Sequence, residues 1–199
     1  MIIYTDGSSL HGIKPYAKVG YACVILSESN IETRTGVHCG ATTGSHEVIA
    51  FIEACRAAGE QHVAPADLTI FTDDQSLGYA GFYLHPGNYR ATARKIRETI
   101  GAACNKHFDK HSYELAMWYA AEARIHKVKS HVDTTPVYHH WADYRARCAC
   151  QDKEPMLFSD WLAKGFFFPT GTDESGALIG KQHFAPFTAS LDCGKMRHI

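Results

Sequence analysis

The sequence predicts an α/β fold built on a sheet of mixed strand direction, with a C-terminal extension behind it. Three observations predict this: strand-like segments joined by turn-prone residues open the chain, a strand–helix–strand order follows, and apolar residues then recur at helical spacing. The first segment, Ile2-Ile3-Tyr4-Thr5-Asp6-Gly7, reads as a short buried strand ending in an acid and a turn glycine. Val19 to Leu26 and Ile31 to Cys39 follow as strands, and Ser27-Glu28-Ser29-Asn30 between them supplies the polar residues of a hairpin connection. These three strands are therefore antiparallel.

Val48, Ile49, Ile52 and Cys55 recur at helical spacing, which predicts a helix from an N-cap at Ser45 to a C-cap at Gly59. Leu68 to Thr72 reads as a second buried strand ending in acids, Asp73 and Asp74. The crossover between strands is right-handed in this order, so the second buried strand runs parallel to one already in the sheet. Tyr89, Ala93, Ile96, Ile100 and Cys104 form the stripe of a long helix, and Ser112 to Ala123 forms another. Arg124 to Ser130 is the last strand, followed by a helix from Pro136 to Cys150 with proline in the first turn, where its missing N–H does no harm. Beyond Gln151 lie a short helix, Met156 to Lys164, the apolar Phe166-Phe167-Phe168-Pro169, and a Gly/Thr/Ser-rich stretch. That tail has too little periodic apolar content to fold alone. Residues 1–150 are thus expected to form the main domain, and residues 151–199 an extension packed on it or binding a protein partner.

Composition excludes intrinsic disorder, since 45% of the 199 residues are hydrophobic and 21% charged. No run of about 18 apolar residues occurs, and the N-terminus enters a strand without a basic stretch, so neither a membrane span nor a signal peptide is expected. The seven scattered cysteines fit free thiols in a reducing compartment, and a cytoplasmic location follows as an expectation. Cys148-Ala149-Cys150 with His183 and Cys193 matches no familiar zinc spacing. Charge is unevenly spread: residues 1–84 carry four Lys/Arg against nine Asp/Glu, residues 85–131 nine against four, and residues 132–199 seven against eight. An acidic segment beside a basic one suits a protein that holds metal with one part and a polyanion with another, although chance clustering gives the same pattern.

The candidate chemistry is carboxylate chemistry. Open sheets place their ligand crevice beyond the carboxyl ends of parallel strands, where Asp6 and Asp73 fall together. Either acid alone reads equally as a turn or N-cap residue. Glu47, in the first turn of the early helix, lies near that edge, and its plainer reading is a favourable interaction with the helix dipole. Glu53, six residues on, points elsewhere and reads as a solvated surface charge. In the late helix Val137, Trp141, Tyr144 and Cys148 mark an apolar face, which leaves His139 and Asp143 at i and i+4 on another. Such a pair reaches one ion, or forms a surface charge pair. His139-His140 reads as helix surface.

Four segments in order carry a resemblance: Tyr4-Thr5-Asp6-Gly7-Ser8; His46-Glu47-Val48-Ile49-Ala50; Ile70-Phe71-Thr72-Asp73-Asp74-Gln75; and Val128-Lys129-Ser130-His131 leading to Ala142-Asp143. Over roughly residues 1–150 the chain resembles ribonuclease H of type 1. The resemblance implies a five-stranded mixed sheet, three antiparallel strands plus two parallel ones, flanked by helices. It implies an endonuclease that uses Mg²⁺, with Mn²⁺ as a substitute, to cut the RNA strand of RNA/DNA hybrids and leave 5′-phosphate ends. Asp6, Glu47, Asp73 and Asp143 correspond to the family's acidic metal ligands, and His131 to a histidine that assists proton transfer and product release. Asp74 stands where the family often has Ser and adds negative charge beside the site; His139 stands where it commonly has Asn and is expected to face substrate.

The residue types suit that chemistry independently. Magnesium takes oxygen ligands and keeps several waters, so a carboxylate set fits it, and two ions about 3.5–4 Å apart serve an in-line displacement. Four crowded carboxylates repel one another until metal binds. Substrate grip is expected from Arg90, Arg94 and Arg97 at i, i+4 and i+7, resembling the family's basic helical protrusion, with Trp118 or Tyr119 stacking on sugar or base. An ordinary solvated helix face has the same pattern. Ser8 and Ser9 are candidates for RNA 2′-hydroxyls, and Thr43 and Ser45 for a phosphate at the helix start. Two other readings remain open: a non-catalytic nucleic-acid-binding module of the same fold, and a nuclease of that fold that cuts DNA.

Overall fold

The computed structural model describes residues 1–9, 17–27, 30–41, 46–85, 90–129, 132, 134–164, 167–172 and 178–182. Three antiparallel strands open it: β1 (Ile2–Ser9), β2 (Ala17–Ser27) and β3 (Asn30–Ala41). The first long helix, α1 (His46–Glu60), crosses to β4 (Thr69–Thr72), which lies parallel to β1. Two short helices, α2 (Gln75–Gly78) and α3 (Ala80–Leu84), precede the long α4 (Arg90–His107) and α5 (Lys110–Glu122). The strand β5 (Arg124–Lys127) completes a five-stranded sheet of order β3-β2-β1-β4-β5. A small second sheet, β6-β8-β7, joins β6 (Thr135–Pro136) to tail strands β7 (Phe167–Thr172) and β8 (Leu178–Gln182), with α6 (Val137–Cys150) and α7 (Phe158–Ala163) between β6 and β7.

Strand alternation splits the core into two layers. Ile3, Cys23, Ile25 and Ile70 face one side, where they pack with apolar residues of α1, α4 and α5. Tyr4, Ala22 and Val24 face the other, against Val137, Trp141, Ala142 and Ala146 of α6. Helix α6 lies unusually close to the sheet because β2 carries Gly20 beneath it: a Cβ there would stand 2.2 Å from the Ala146 carbonyl oxygen.

Several elements differ from the sequence expectation, each for a local reason. Gly59 lies within α1, where Leu115 packs on it at a distance a Cβ would violate, and the left-handed residue that ends the helix is His62, with Val63 N–H donating to the Ala58 carbonyl. Helices α2 and α3 span four and five residues, too short for a periodicity to register. The tail strand β7 contains Pro169, which its position at the edge of the small sheet tolerates. The expected N-cap Ser45 lies outside the described residues.

The described part of the tail is anchored on α6. Trp161 is fully buried, with its ring centroid 5.4 Å from Trp141 and 6.2 Å from Phe167. The His140 ring donates to the Gly180 carbonyl at 3.0 Å, and Thr135 and Pro136 pair with Gly180 and Ile179. Trp161→Ala is expected to lower stability by about 3–5 kcal/mol through the cavity it leaves, measured by urea denaturation. An unchanged midpoint would mean that the tail does not hold this position in solution.

Candidate active site

The parallel register of β1 and β4 sets the first pair of acids. Tyr4 pairs with Phe71, and their rings stack with centroids 4.7 Å apart on the α6 side. Two residues beyond this pair come Asp6, still within β1, and Asp73, just past the end of β4, with donor oxygens within 4.8 Å of each other. Asp6 is 5% exposed.

Glu47 arrives through a backbone contact. A Cβ on Gly7 would sit 2.3 Å from the His46 carbonyl carbon and 2.8 Å from the Glu47 nitrogen, so only glycine lets α1 begin this close to β1. The Gly7 N–H donates to Glu47 Oε2 at 3.2 Å, and the carboxyl also shares a hydrogen bond with Asp73. His46 Nε2 lies 3.6 Å from the other Glu47 oxygen.

Helix α6 brings the remaining groups. His139 is 1% exposed, with Nε2 3.9 Å from Asp6 Oδ1. One ring nitrogen of His139 and one oxygen each of Asp6 and Asp73 all lie within 4.8 Å of one another. Asp143, one turn on, forms an ion pair with Arg147 and is near enough for its charge to act on Asp6.

Burial first, and then the negative charges of Glu47, Asp143 and Asp73, push the Asp6 carboxyl well above the ordinary carboxylate range, while Arg147 pulls it partly back. Glu47 is raised chiefly by burial and then by the Asp73 charge, with Asp74 adding to it and the Gly7 N–H opposing. Asp74 itself caps α2, accepting from Leu77 N–H at 2.8 Å. The chemistry of this donor set fits a divalent cation: carboxylate oxygens in excess, the positive charge of Arg147 offsetting them only in part, and repulsion that an ion would relieve.

Five expected site residues thus converge: Asp6, Glu47, Asp73, Asp143 and His139. Ser8 and Ser9 continue β1 just beyond Asp6 and are partly buried. His131, Thr43 and Ser45 lie outside the described residues, as does the side chain of Arg90. Arg94 and Arg97 are exposed on α4, where Arg94 pairs with Glu98 at 3.6 Å, and Trp118 on α5 is 48% exposed. These two helices cover the face of the sheet opposite α6.

Three sequence expectations require correction. Tyr119 is buried and donates its hydroxyl to the Val63 carbonyl at 2.7 Å, so it is core and stacks on nothing external. The His139-His140 pair is buried, because α6 also presents its small residues Ala142 and Ala146 to the sheet. Glu53 is 12% exposed and holds His38 at 3.2 Å and Arg56 at 3.0 Å, an arrangement that its apparent place on the polar face of α1 conceals. Arg147 is a site residue that the sequence reading overlooks, although its i+4 spacing from Asp143 is the helical ion-pair signal.

A family model described as RNase H matches residues 1–151. Among solved structures, the RNase H1 called LC11, crystallised with an RNA/DNA hybrid, superposes with a TM-score of 0.51 at 15% identity, covering 76% of this chain and 96% of that one. A second structure of LC11, isolated from compost by a metagenomic approach, gives 0.50 at 14% identity, with 76% and 95% covered. The RNase H1 of the halophilic archaeon Halobacterium salinarum is 20% identical over 76% of this chain and 97% of that one, with a TM-score of 0.45. No curated protein matches the sequence.

The raised carboxyls link stability to pH. The native state keeps protons on Asp6 and Glu47 that the unfolded chain releases near pH 4, so the metal-free protein is expected to lose stability as pH rises from there through the raised native values. Asp6→Asn is expected to flatten that slope and to raise the metal-free Tm, by roughly 2–4 °C per kcal/mol of repulsion removed. Calorimetric melts in chelator across pH check this, and a Tm that climbs with pH over that range would contradict it.

Proposed function

Since the chain belongs to the RNase H family, we propose that it is a metal-dependent endonuclease that hydrolyses the RNA strand of RNA/DNA hybrids and leaves 5′-phosphate ends. The observation that carries this reading is the convergence of Asp6, Glu47 and Asp73 with Asp143 where β1, β4, α1 and α6 meet. These four carboxylates hold Mg²⁺, or Mn²⁺ as a substitute. Held by these carboxylates, two divalent ions would supply Lewis-acid activation of a water and charge neutralisation at the leaving oxygen.

The protein's own groups position that chemistry. The Gly7 N–H orients Glu47, and Arg147 holds Asp143 while tempering the local negative charge. His131 moves the proton at product release. Ser8 and Ser9 meet RNA 2′-hydroxyls, Thr43 and Ser45 take a phosphate of the DNA strand, and His139 borders the substrate. Arg90, Arg94, Arg97 and Trp118 grip the duplex beyond the cleavage site; the exposure of Arg94, Arg97 and Trp118 supports this role. Residues 1–150 form the catalytic unit of a cytoplasmic enzyme, and the burial of Trp161 favours a tail docked on that unit over one held free for a partner.

Labelled hybrid, duplex RNA and duplex DNA, assayed side by side with Mg²⁺ or Mn²⁺, test the reading. Cleavage confined to the RNA of the hybrid is expected, with Asp73→Asn lowering kcat by on the order of 10³-fold while hybrid binding survives. Cleavage of duplex DNA, or an unchanged rate in Asp73→Asn, would overturn it. Arg94→Ala with Arg97→Ala is expected to raise KM at constant kcat and to reduce the salt slope of hybrid binding by about 0.9 for each phosphate that the variant leaves unneutralised. An unaltered slope in binding titrations would remove these arginines from the interface.

A further inference from the structure

A buried imidazole inside an acidic cluster changes which ion the cluster prefers. His139 Nε2 lies 3.9 Å from Asp6 Oδ1, and a ring nitrogen lies within 4.8 Å of donor oxygens on both Asp6 and Asp73. Two donors each about 2.1 Å from one ion stand about 3 Å apart at right angles and about 4.2 Å apart when opposite, so small side-chain shifts bring all three onto a single ion. The helix that carries the ring is also held in place. It is locked against the sheet by buried Ala142 and Ala146, and by the contact between Gly20 and the α6 backbone.

Carboxylate and water ligands suit Mg²⁺, whereas imidazole nitrogen is a borderline donor that binds first-row transition ions far better. We propose that His139 is a direct ligand of the metal centre together with Asp6 and Asp73, and that it shifts the preference away from Mg²⁺ towards first-row transition ions, of which Mn²⁺, the weakest binder of the series, serves as the paramagnetic probe. The proposal rests on the metal-dependent reading of this site and deepens it: His139 moves from the substrate's border to the ion. In that position the imidazole is neutral, since its donor lone pair goes to the metal. The alternative is an imidazolium that pairs with Asp6 and takes the place of an ion.

The full-length protein, stripped with chelator, is titrated with Mn²⁺ and with Mg²⁺ by calorimetry, and pulsed EPR of bound Mn²⁺ is used to look for nitrogen coupling. The expected result is a nitrogen coupling in the wild type that is lost in His139→Asn, together with a fall of about 10- to 100-fold in Mn²⁺ affinity and little change for Mg²⁺. His139→Gln, nearer in volume, serves as a second variant because the ring is buried. No nitrogen coupling in the wild type, coupling that persists in the variants, or equal losses for both ions would each overturn the proposal. These readouts do not depend on turnover. A protein that shows the coupling yet cleaves no hybrid would refute the nuclease reading and leave the ligand assignment standing.

Discussion

Negative charge gathered where little water reaches it is the constraint that organises this molecule. Asp6 and Glu47 are both buried deeply enough that desolvation is the largest influence on their protonation, and each also carries the repulsion of neighbouring acids. Arg147 offsets part of that charge through its ion pair with Asp143. The remainder disfavours the folded state at neutral pH unless a cation is bound, so the site gives up stability for function.

The fold delivers that crowding through backbone contacts more than through side chains. Parallel pairing of β1 with β4, which runs as far as Tyr4 and Phe71, brings Asp6 and Asp73 beside each other two residues later. Gly7 admits the start of α1, and Gly20 admits α6, each at a distance that a single added carbon would violate. Moving either helix outward by the width of a methyl group would carry Glu47, or His139 and Asp143, away from Asp6. Tail residues Trp161 and Phe167 pack on α6, so the extension braces the helix that carries His139, Asp143 and Arg147.

Much of this is legible in the sequence because Asp6, Glu47 and Asp73 lie in or next to short elements with their own patterns, whereas Asp143 lies midway along α6. Asp6 and Asp73 follow short apolar runs, although β1 continues past Asp6 and Gly7 to Ser9 where the sequence suggests a turn, and Glu47 opens a helix whose stripe of Val48, Ile49, Ile52 and Cys55 is regular. Helix α6 is harder to read. Trp141 packs both on Trp161 of α7 and on the sheet, where its ring N–H donates to the Thr33 hydroxyl of β3, and the small Ala142 and Ala146 are buried as well, so a helix buried on most sides has the pattern of one with a single apolar face. That pattern puts His139 and His140 on the surface, where the folded chain does not. Glu53 misleads because one of its partners, His38, comes from β3, a contact that only the folded chain creates. The tail strands leave no clear signal because Pro169 interrupts one, and β8 pairs with β6, more than forty residues away in sequence.

Anomalous scattering from crystals of the full chain grown with Mn²⁺ would decide whether the carboxylates share divalent ions. Density is expected about 2.1–2.2 Å from oxygens of Asp6 and Asp73, within reach of Glu47 or Asp143. A map with no peak among these side chains at saturating Mn²⁺, or with peaks only elsewhere on the surface, would contradict the assignment of this site as a metal centre.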